Sequence, residues 1–409
     1  MELTCHCGTN SYAFLVATPL ENTFTDIKVC QCIDCRLQTG NFASWFVQAP
    51  NQPFDIQSVP TTLTAYKINA TLTHYFCNTC SSQLFRWEQQ QDSEPGAGFG
   101  LFTPCLKLPR NHRFTLNSVC SVERASDGII ASWLPGIKCY DTDGVSLTEE
   151  FIRGLESIDY PLKGEISGNL GNKDEGDQSN ASTDSHADEL IGKCHCSNIK
   201  IQLSRPTGSQ AEKPPFVYSD NTDLVIPNWT LIGQQPPIDN DNPWWIREGL
   251  NNSEAKRFLG GTCTCDSCRV IAGTEVQSWV FIPTPSIHLI LPTGEIIPWP
   301  SRESLINGSD ERVNEVMGIY KSTPGDPGVT RGFCKTCGAN IFWDGFTRKN
   351  LIDLSGGLFT VNGTKRKDWI EWWTYRTSFV EDVKGTSREE IGLLLEKGLQ
   401  EWRTRSSAI

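Results

Sequence analysis

Three features of the sequence point to a mainly β chain built twice over and closed by one helix. Most apolar runs are short and of strand type, the cysteines recur in one order in both halves, and only the last stretch carries a clear helical stripe. Segments such as SYAFLVAT, ASWFVQA, SWVFIPT and HLIL are rich in aromatic and β-branched residues and are bounded by Pro, Gly, Asn and Asp, the composition of strands on a pleated, half-buried surface. At the C-terminus Ser387 and Glu390 have capping-box spacing. Ile391, Leu394, Leu395, Leu399 and Trp402 follow as one apolar stripe, which predicts a helix packed on the second half.

The repeat is carried by cysteine spacing. C-x-C occurs at Cys5 and Cys7 and again at Cys194 and Cys196. C-x-C-x-x-C occurs at Cys30, Cys32, Cys35 and again at Cys263, Cys265, Cys268. FC-x-T-C occurs at Cys77, Cys80 and again at Cys334, Cys337. Each C-x-C-x-x-C is followed by Arg, then Gly, then Ser-Trp (Arg36, Gly40, Ser44, Trp45; Arg269, Gly273, Ser278, Trp279). GLFT lies 20 positions after Cys80 and 20 after Cys337. This order is read as a tandem duplication.

Residues 164–190 separate the copies and are rich in Gly, Ser, Asn and acids, too poor in apolar residues to offset the entropy of ordering, so they read as a flexible acidic linker. The expected domains are 1–163 and 191–409. The second carries two insertions. One, about 205–258, contains Trp229, Trp244 and Trp245; the other, about 293–320, holds a short helix near Ser304 to Tyr320.

Composition bounds the function. A length of 409 residues suits two core-bearing domains. A formal charge of -12 without a Lys/Arg cluster disfavours a nucleic-acid partner. No apolar run approaches the roughly 18 residues of a membrane span, and MELTCHCG lacks the order of a signal peptide, so a soluble, cytoplasmic protein is expected. In that reducing setting 17 cysteines read as metal ligands or reactive thiols rather than disulfides.

Spacing sorts the ligands. In an extended C-x-C two thiols lie on one face about 6.6 Å apart, with His6 or His195 between them pointing away, and a C-x-x-C turn supplies the other pair. Cys5, Cys7, Cys77 and Cys80 therefore form one four-cysteine zinc site, and Cys194, Cys196, Cys334 and Cys337 its counterpart. Cys30, Cys32, Cys35 and Cys263, Cys265, Cys268 form three-thiolate cups with an open corner, the layout of a catalytic zinc. The alternative fourth ligands are His74, Cys105, Cys120 and Cys139. The three cysteines lack counterparts in the second copy and read as ordinary core or surface thiols.

The order C-x-C, C-x-C-x-x-C-R with a following Gly, then F-C-x-x-C, resembles the glutathione-dependent formaldehyde-activating family, which includes the centromere protein V relatives. The resemblance covers both copies outside the linker, the insertions and the terminal helix. It implies a β-tent fold, in which small antiparallel sheets are held by a four-cysteine zinc beside a three-cysteine zinc. It places Cys30, Cys32, Cys35 and Cys263, Cys265, Cys268 at catalytic-metal positions. The implied activity is carbon–sulfur bond making and breaking, a lyase-type reaction joining a thiol and a carbonyl compound, with glutathione as co-substrate.

A small-molecule substrate is expected, bound to an open cup as a thiol or a carbonyl. Arg36 and Arg269, directly after the last ligand, stand where they would orient a carboxylate or offset the cup's charge. No general base emerges, because Asp34 inside the first cup is matched by Ser267 in the second. Gly8 is likewise matched by Ser197, and the Trp-rich insertion suits a substrate larger than formaldehyde, held at the second cup. The two copies are expected to pack as an intramolecular pseudo-dimer. The competing expectation is a non-catalytic binding module, as among the chromosome-associated relatives, in which zinc only builds the fold.

Overall fold

A computed structural model of the chain describes residues 1–14, 23–89, 98–108, 112–121, 129–141, 143–149, 151–152, 189–207, 245–249, 253–322, 328–345, 348, 350–362 and 368–406. The expected linker falls outside these except for Glu189 and Leu190, which open the strand Glu189–Lys193 instead of ending a linker. Leu190 is buried, and its apolar side chain is the reason the strand starts there. Trp229 and Trp244 also lie outside the described residues.

The short apolar runs pair into two large sheets. The N-terminal sheet runs Ser146–Leu147, Lys138–Tyr140, His112–Cys120, Thr23–Cys30, Ser44–Gln48, Phe99–Phe102, Gln83–Glu88, Leu72–Cys77, Leu63–Lys67. The C-terminal sheet runs Ile246–Arg247, Arg257–Cys263, Gln277–Pro283, Leu351–Ser355, Asn340–Gly345, Val329–Cys334, Met317–Ser322. In both, one parallel strand lies beside the strand that ends in the first cysteine of the cup: His112–Cys120 beside Thr23–Cys30, and Ile370–Trp372 beside Arg257–Cys263. Smaller sheets carry each C-x-C: one of Glu2–Thr4, Ser11–Ala13 and Leu106–Lys107, the other of Glu189–Lys193, Lys200–Ser204, Ile287–Ile290 and Ile296–Pro298.

The ladders correct two of the repeat markers. Cys30 faces Ser44, but Cys263 faces Gln277, because one more residue separates Arg269 from its Ser-Trp pair than separates Arg36 from its own. A slip of one residue turns a side chain to the opposite face of a sheet. Trp45 is therefore fully buried in the main core, whereas Trp279 takes the place of Phe46 and packs against Cys263 and Cys268. GLFT is displaced as well. Leu101 faces Phe85, and its counterpart opposite Phe342 is Leu354, so the second GLFT lies past the strand in the 3₁₀ turn Gly356–Asn362.

The second insertion folds as helices Arg302–Asn307 and Glu311–Val316, capped by the side chains of Ser301 and Asp310, and the strand Met317–Ser322 begins inside the expected helical span. The terminal helix, Glu389–Ser406, buries Ile391, Leu395 and Leu399 as the stripe requires. It packs on the second half as expected, where Thr377 N–H donates to Glu396 Oε1 (2.8 Å) and a Cβ at Gly392 would fall 2.5 Å from Val383 Cγ2. It also lies on the N-terminal part, which the stripe did not foretell: Phe114 N–H donates to Ser387 O (2.9 Å), Trp402 meets Trp133 edge-on at 6.3 Å, and a Cβ at Gly398 would fall 1.9 Å from Trp133 O. One buried apolar cluster joins Leu3, Trp45 and Phe85 to Leu190, Phe258 and Trp369.

Candidate metal centres

All 17 cysteines are free of disulfides, and 14 of them gather into four groups whose sulfurs lie within 4.8 Å of one another: Cys5, Cys7, Cys77, Cys80; Cys194, Cys196, Cys334, Cys337; Cys30, Cys32, Cys35; and Cys263, Cys265, Cys268. Four thiolates at about 2.3 Å from a tetrahedral zinc would stand about 3.8 Å apart. The sulfur pairs Cys5–Cys7 (3.5 Å), Cys7–Cys77 (3.6 Å), Cys194–Cys196 (3.5 Å) and Cys196–Cys334 (3.4 Å) fit that donor set.

Each C-x-C is a turn rather than an extended pair, which is why its sulfurs converge. Gly8 N–H donates to Cys5 O and Ser197 N–H to Cys194 O, both at 3.0 Å. The turn requires a left-handed residue, and Gly8 (φ +78°) and Ser197 (φ +62°) both supply it, the serine at a steric cost that glycine avoids.

The three-cysteine cups are built at helix starts. Cys32 caps the helix Ile33–Thr39 by accepting from Cys35 N–H (3.4 Å), and Cys265 caps Asp266–Ala272 by accepting from Cys268 N–H (3.4 Å). A thiolate at a helix N-cap is favoured by the first-turn amides. The glycine that follows each cup is the helix C-cap: Gly40 (φ +74°) and Gly273 (φ +68°) sit where a Cβ would collide with the opposite part of the chain, 2.1 Å from Asn340 O and 2.4 Å from Gln83 Cβ respectively.

The expectation that the C-x-C histidines point away is met in an unforeseen sense, for they cross to the other half. His6 Nδ1 lies 2.8 Å from Tyr320 Oη and its Nε2 3.1 Å from Ser267 Oγ. His195 Nδ1 lies 2.7 Å from Tyr66 Oη and its Nε2 3.5 Å from Asp34 Oδ1. Asp34 and Ser267 occupy the same position between cup ligands, and Tyr66 and Tyr320 the same position on their strands, opposite His74 and Arg331. One half's four-cysteine turn therefore buttresses the other half's cup.

Around the cups the halves diverge. At the N-terminal cup Arg86 stacks 3.9 Å over Phe46, pairs with Glu88 at 2.8 Å and lies against Gly100, where a Cβ would fall 2.7 Å from Arg86 Cγ. In the C-terminal sheet these strand positions hold Trp343 and Asp353, and Arg331 replaces His74. Arg331 donates to Cys268 Sγ (3.5 Å) and Ser322 Oγ (3.1 Å). Trp245, Trp279, Trp343, Trp373, Phe281 and Phe379 pack around Cys263, Cys265 and Cys268. Burial pushes the Asp353 carboxyl up to about 7, against the opposing pull of Arg348.

The other expected site residues fall as follows. Arg269 is held within the fold by Thr264 O (2.8 Å), Glu275 (3.2 Å) and Asp266. Glu275 in turn binds Arg388 (3.0 Å), which donates to Thr103 O and Leu106 O of the N-terminal part. Arg36 is buried beside Phe42, and burial brings its guanidinium down to about 9. Of the alternative ligands, His74 is buried with Nδ1 2.7 Å from Gln38 Oε1, Cys105 donates to Gln83 O (3.2 Å) and Cys139 lies against Ile137 O. Cys120 is not an ordinary thiol: it is the ladder partner of Cys30, and its contact holds the Cys30 thiol below the usual range, yet it stays outside the group of three. Its place beside Cys263 is taken by Ser378. Among the described residues no fourth ligand-type side chain joins either group of three.

Sequence reasoning missed Arg331, Asp353 and the Tyr–His bridges, because ladder register rather than local spacing brings each to its site. Trp343 and Asp353 stand in a wall of strands that the motifs do not mark.

Residues 1–115 match the family model described as glutathione-dependent formaldehyde-activating enzyme. The matched stretch takes in Cys5, Cys7, Cys30, Cys32, Cys35, Cys77 and Cys80, one four-cysteine group and one cup, and it covers less than a third of the chain. No curated protein and no solved structure matches the chain. The cysteine groups fit zinc, and the segment resembles an enzyme family. No helix among the described residues is long and apolar enough to cross a membrane.

Proposed function

We propose that this protein is a zinc-dependent carbon–sulfur lyase that joins or splits a thiol, with glutathione as a candidate co-substrate, and a carbonyl compound larger than formaldehyde. In this reading the halves are tandem copies of one β-tent domain, packed as an intramolecular pseudo-dimer in a cytoplasmic protein. Each copy holds one closed four-cysteine zinc and one open three-cysteine zinc. The observation that carries it is the pair of helix-capped sulfur triads that no fourth ligand joins among the described residues. Closed sites are structural, whereas an open position on zinc supplies thiol deprotonation and carbonyl polarisation.

The protein's own side chains supply the rest. When a thiol sulfur adds to a carbonyl carbon, the C=O π pair moves to oxygen and takes a proton, and the thiol proton must leave. Asp353, brought to about 7 by burial in the wall of the C-terminal cup, holds a proton at its carboxyl near neutral pH and can release it. Arg331 offsets the charge of Cys268, and the aromatic wall excludes water. Arg36, buried beside Phe42, and Arg269, bound to Thr264 O and Glu275, are given no step in this reading.

The C-terminal cup is the principal site. The non-catalytic reading suits the N-terminal cup, whose surroundings are occupied by Arg86 stacked on Phe46. Turnover of the glutathione–formaldehyde adduct and of bulkier aldehyde adducts, compared at matched folded fraction and zinc content, tests this. Cys265→Ser should lower it at least about 100-fold and Cys32→Ser less than about 3-fold. The reverse ranking would place the chemistry in the N-terminal cup, and equal loss would defeat the division between them.

A further inference from the structure

The C-terminal cup contains a polar group that the proposed chemistry does not use. Arg348 lies 4.7 Å over the Trp343 ring and 6.0 Å from Phe281, both part of the wall around Cys263, Cys265 and Cys268. Its Nη2 is 2.7 Å from Asp353 Oδ1, yet Nε, Nη1 and Nη2 of Arg348 and Oδ1 of Asp353 are all buried without an aligned hydrogen bond among the described residues. Neither group is well satisfied by the other. A guanidinium left this way is costly, because its N–H groups have given up water without replacement. The N-terminal cup shows the satisfied alternative, in which Arg86 donates to Glu88 at 2.8 Å.

We infer that the substrate of the C-terminal cup carries a carboxylate, seated on Arg348, beside an apolar body of aromatic size packed on the Trp wall. The inference deepens the reading of that cup as the open site and rests on it. Carboxylate geometry matches the paired N–H groups of a guanidinium, and a flat ring or chain complements aromatic walls that have little rotamer freedom to lose. A net charge of -12 repels a free anion from the molecule as a whole, so recognition must come from a local cation. Arg331 does not serve, since it is spent on Cys268 and Ser322. Arg348, ion-paired at Nη2 with Asp353, keeps Nε and Nη1 without a partner among the described residues.

The test uses the full chain with cobalt(II) in place of zinc and follows the thiolate-to-cobalt absorption on titration with 4-mercaptobenzoate and with 4-mercaptobenzamide, its uncharged analogue. The acid should bind at least about 10-fold more tightly than the amide, a difference of about 1.4 kcal/mol. In Arg348→Gln the preference should fall below about 2-fold. Equal binding of the two thiols by the unaltered protein overturns the inference without recourse to any variant, as does a preference that survives in Arg348→Gln. A cobalt spectrum that responds to neither thiol refutes the open-cup reading itself and the inference with it.

Discussion

At the N-terminal cup an arginine lies flat on a phenylalanine, paired with Glu88 and pressed against Gly100. At the C-terminal cup the same strand positions hold a tryptophan and an aspartate, and six aromatic rings surround the sulfurs. The backbones that present the ligands are alike: a strand ending in the first cysteine, an N-cap cysteine, a seven-residue helix and a left-handed glycine. Three exchanges in neighbouring strands, His74 for Arg331, Arg86 for Trp343 and Gly100 for Asp353, separate a filled surround from a walled one. The scaffold fixes where the sulfurs stand. The facing side chains decide what reaches them.

The contrast is sharpest at Asp353. A carboxyl raised from 3.8 to about 7 by burial binds a proton more tightly in the folded than in the unfolded chain. Its ionisation therefore opposes folding: the penalty is absent below the unfolded value, grows between about pH 4 and 7, and is complete above. Asp353→Asn should remove up to about 4 kcal/mol of this decline. Denaturant midpoints of the two proteins from pH 4 to 8 would show it, and parallel curves would break the assignment. Gly100, in the other sheet, offers no such group.

The shared scaffold should respond alike in both halves. Gly40→Ala places a Cβ on Asn340 O in a left-handed backbone, for an expected loss of about 3 kcal/mol. Gly273→Ala meets the Gln83 side chain, which has some freedom to shift, for about 2 kcal/mol. Urea unfolding measures both, and a tolerated alanine at either site would mean that the halves do not pack through these helix ends.

The smallest effect belongs to the crossing histidines. His6→Ala and His195→Ala should each cost about 1 kcal/mol. A double-mutant cycle of His195→Ala with Tyr66→Phe should return a coupling of similar size. A coupling of zero would sever the link between one half's four-cysteine turn and the other half's cup.

Much of the candidate site was legible because metal ligands converge locally. C-x-C, C-x-x-C and C-x-C-x-x-C hold sulfurs close in the chain, so their grouping follows from spacing, whereas the helix and C-cap glycine after each cup came only with the structure. The Ser-Trp and GLFT matches failed as position markers for the opposite reason. They lie on strands, where one added residue changes the face, and only the ladder records it.

The amino-acid order by itself determined that this chain is mainly β, that its cysteines fall into two sets of four and two sets of three, and that an amphipathic helix closes it. Those properties depend on chain geometry over a few residues and on hydrophobic period. Only the tertiary structure decided that the closing helix also lies on the N-terminal part, that His6 and His195 each reach across to the opposite cup, and that Arg348 and Asp353 meet within an aromatic wall. These contacts join residues far apart in the chain or on separate strands. Their partners are chosen by which faces must be buried together, a choice that register and packing make and local spacing does not encode.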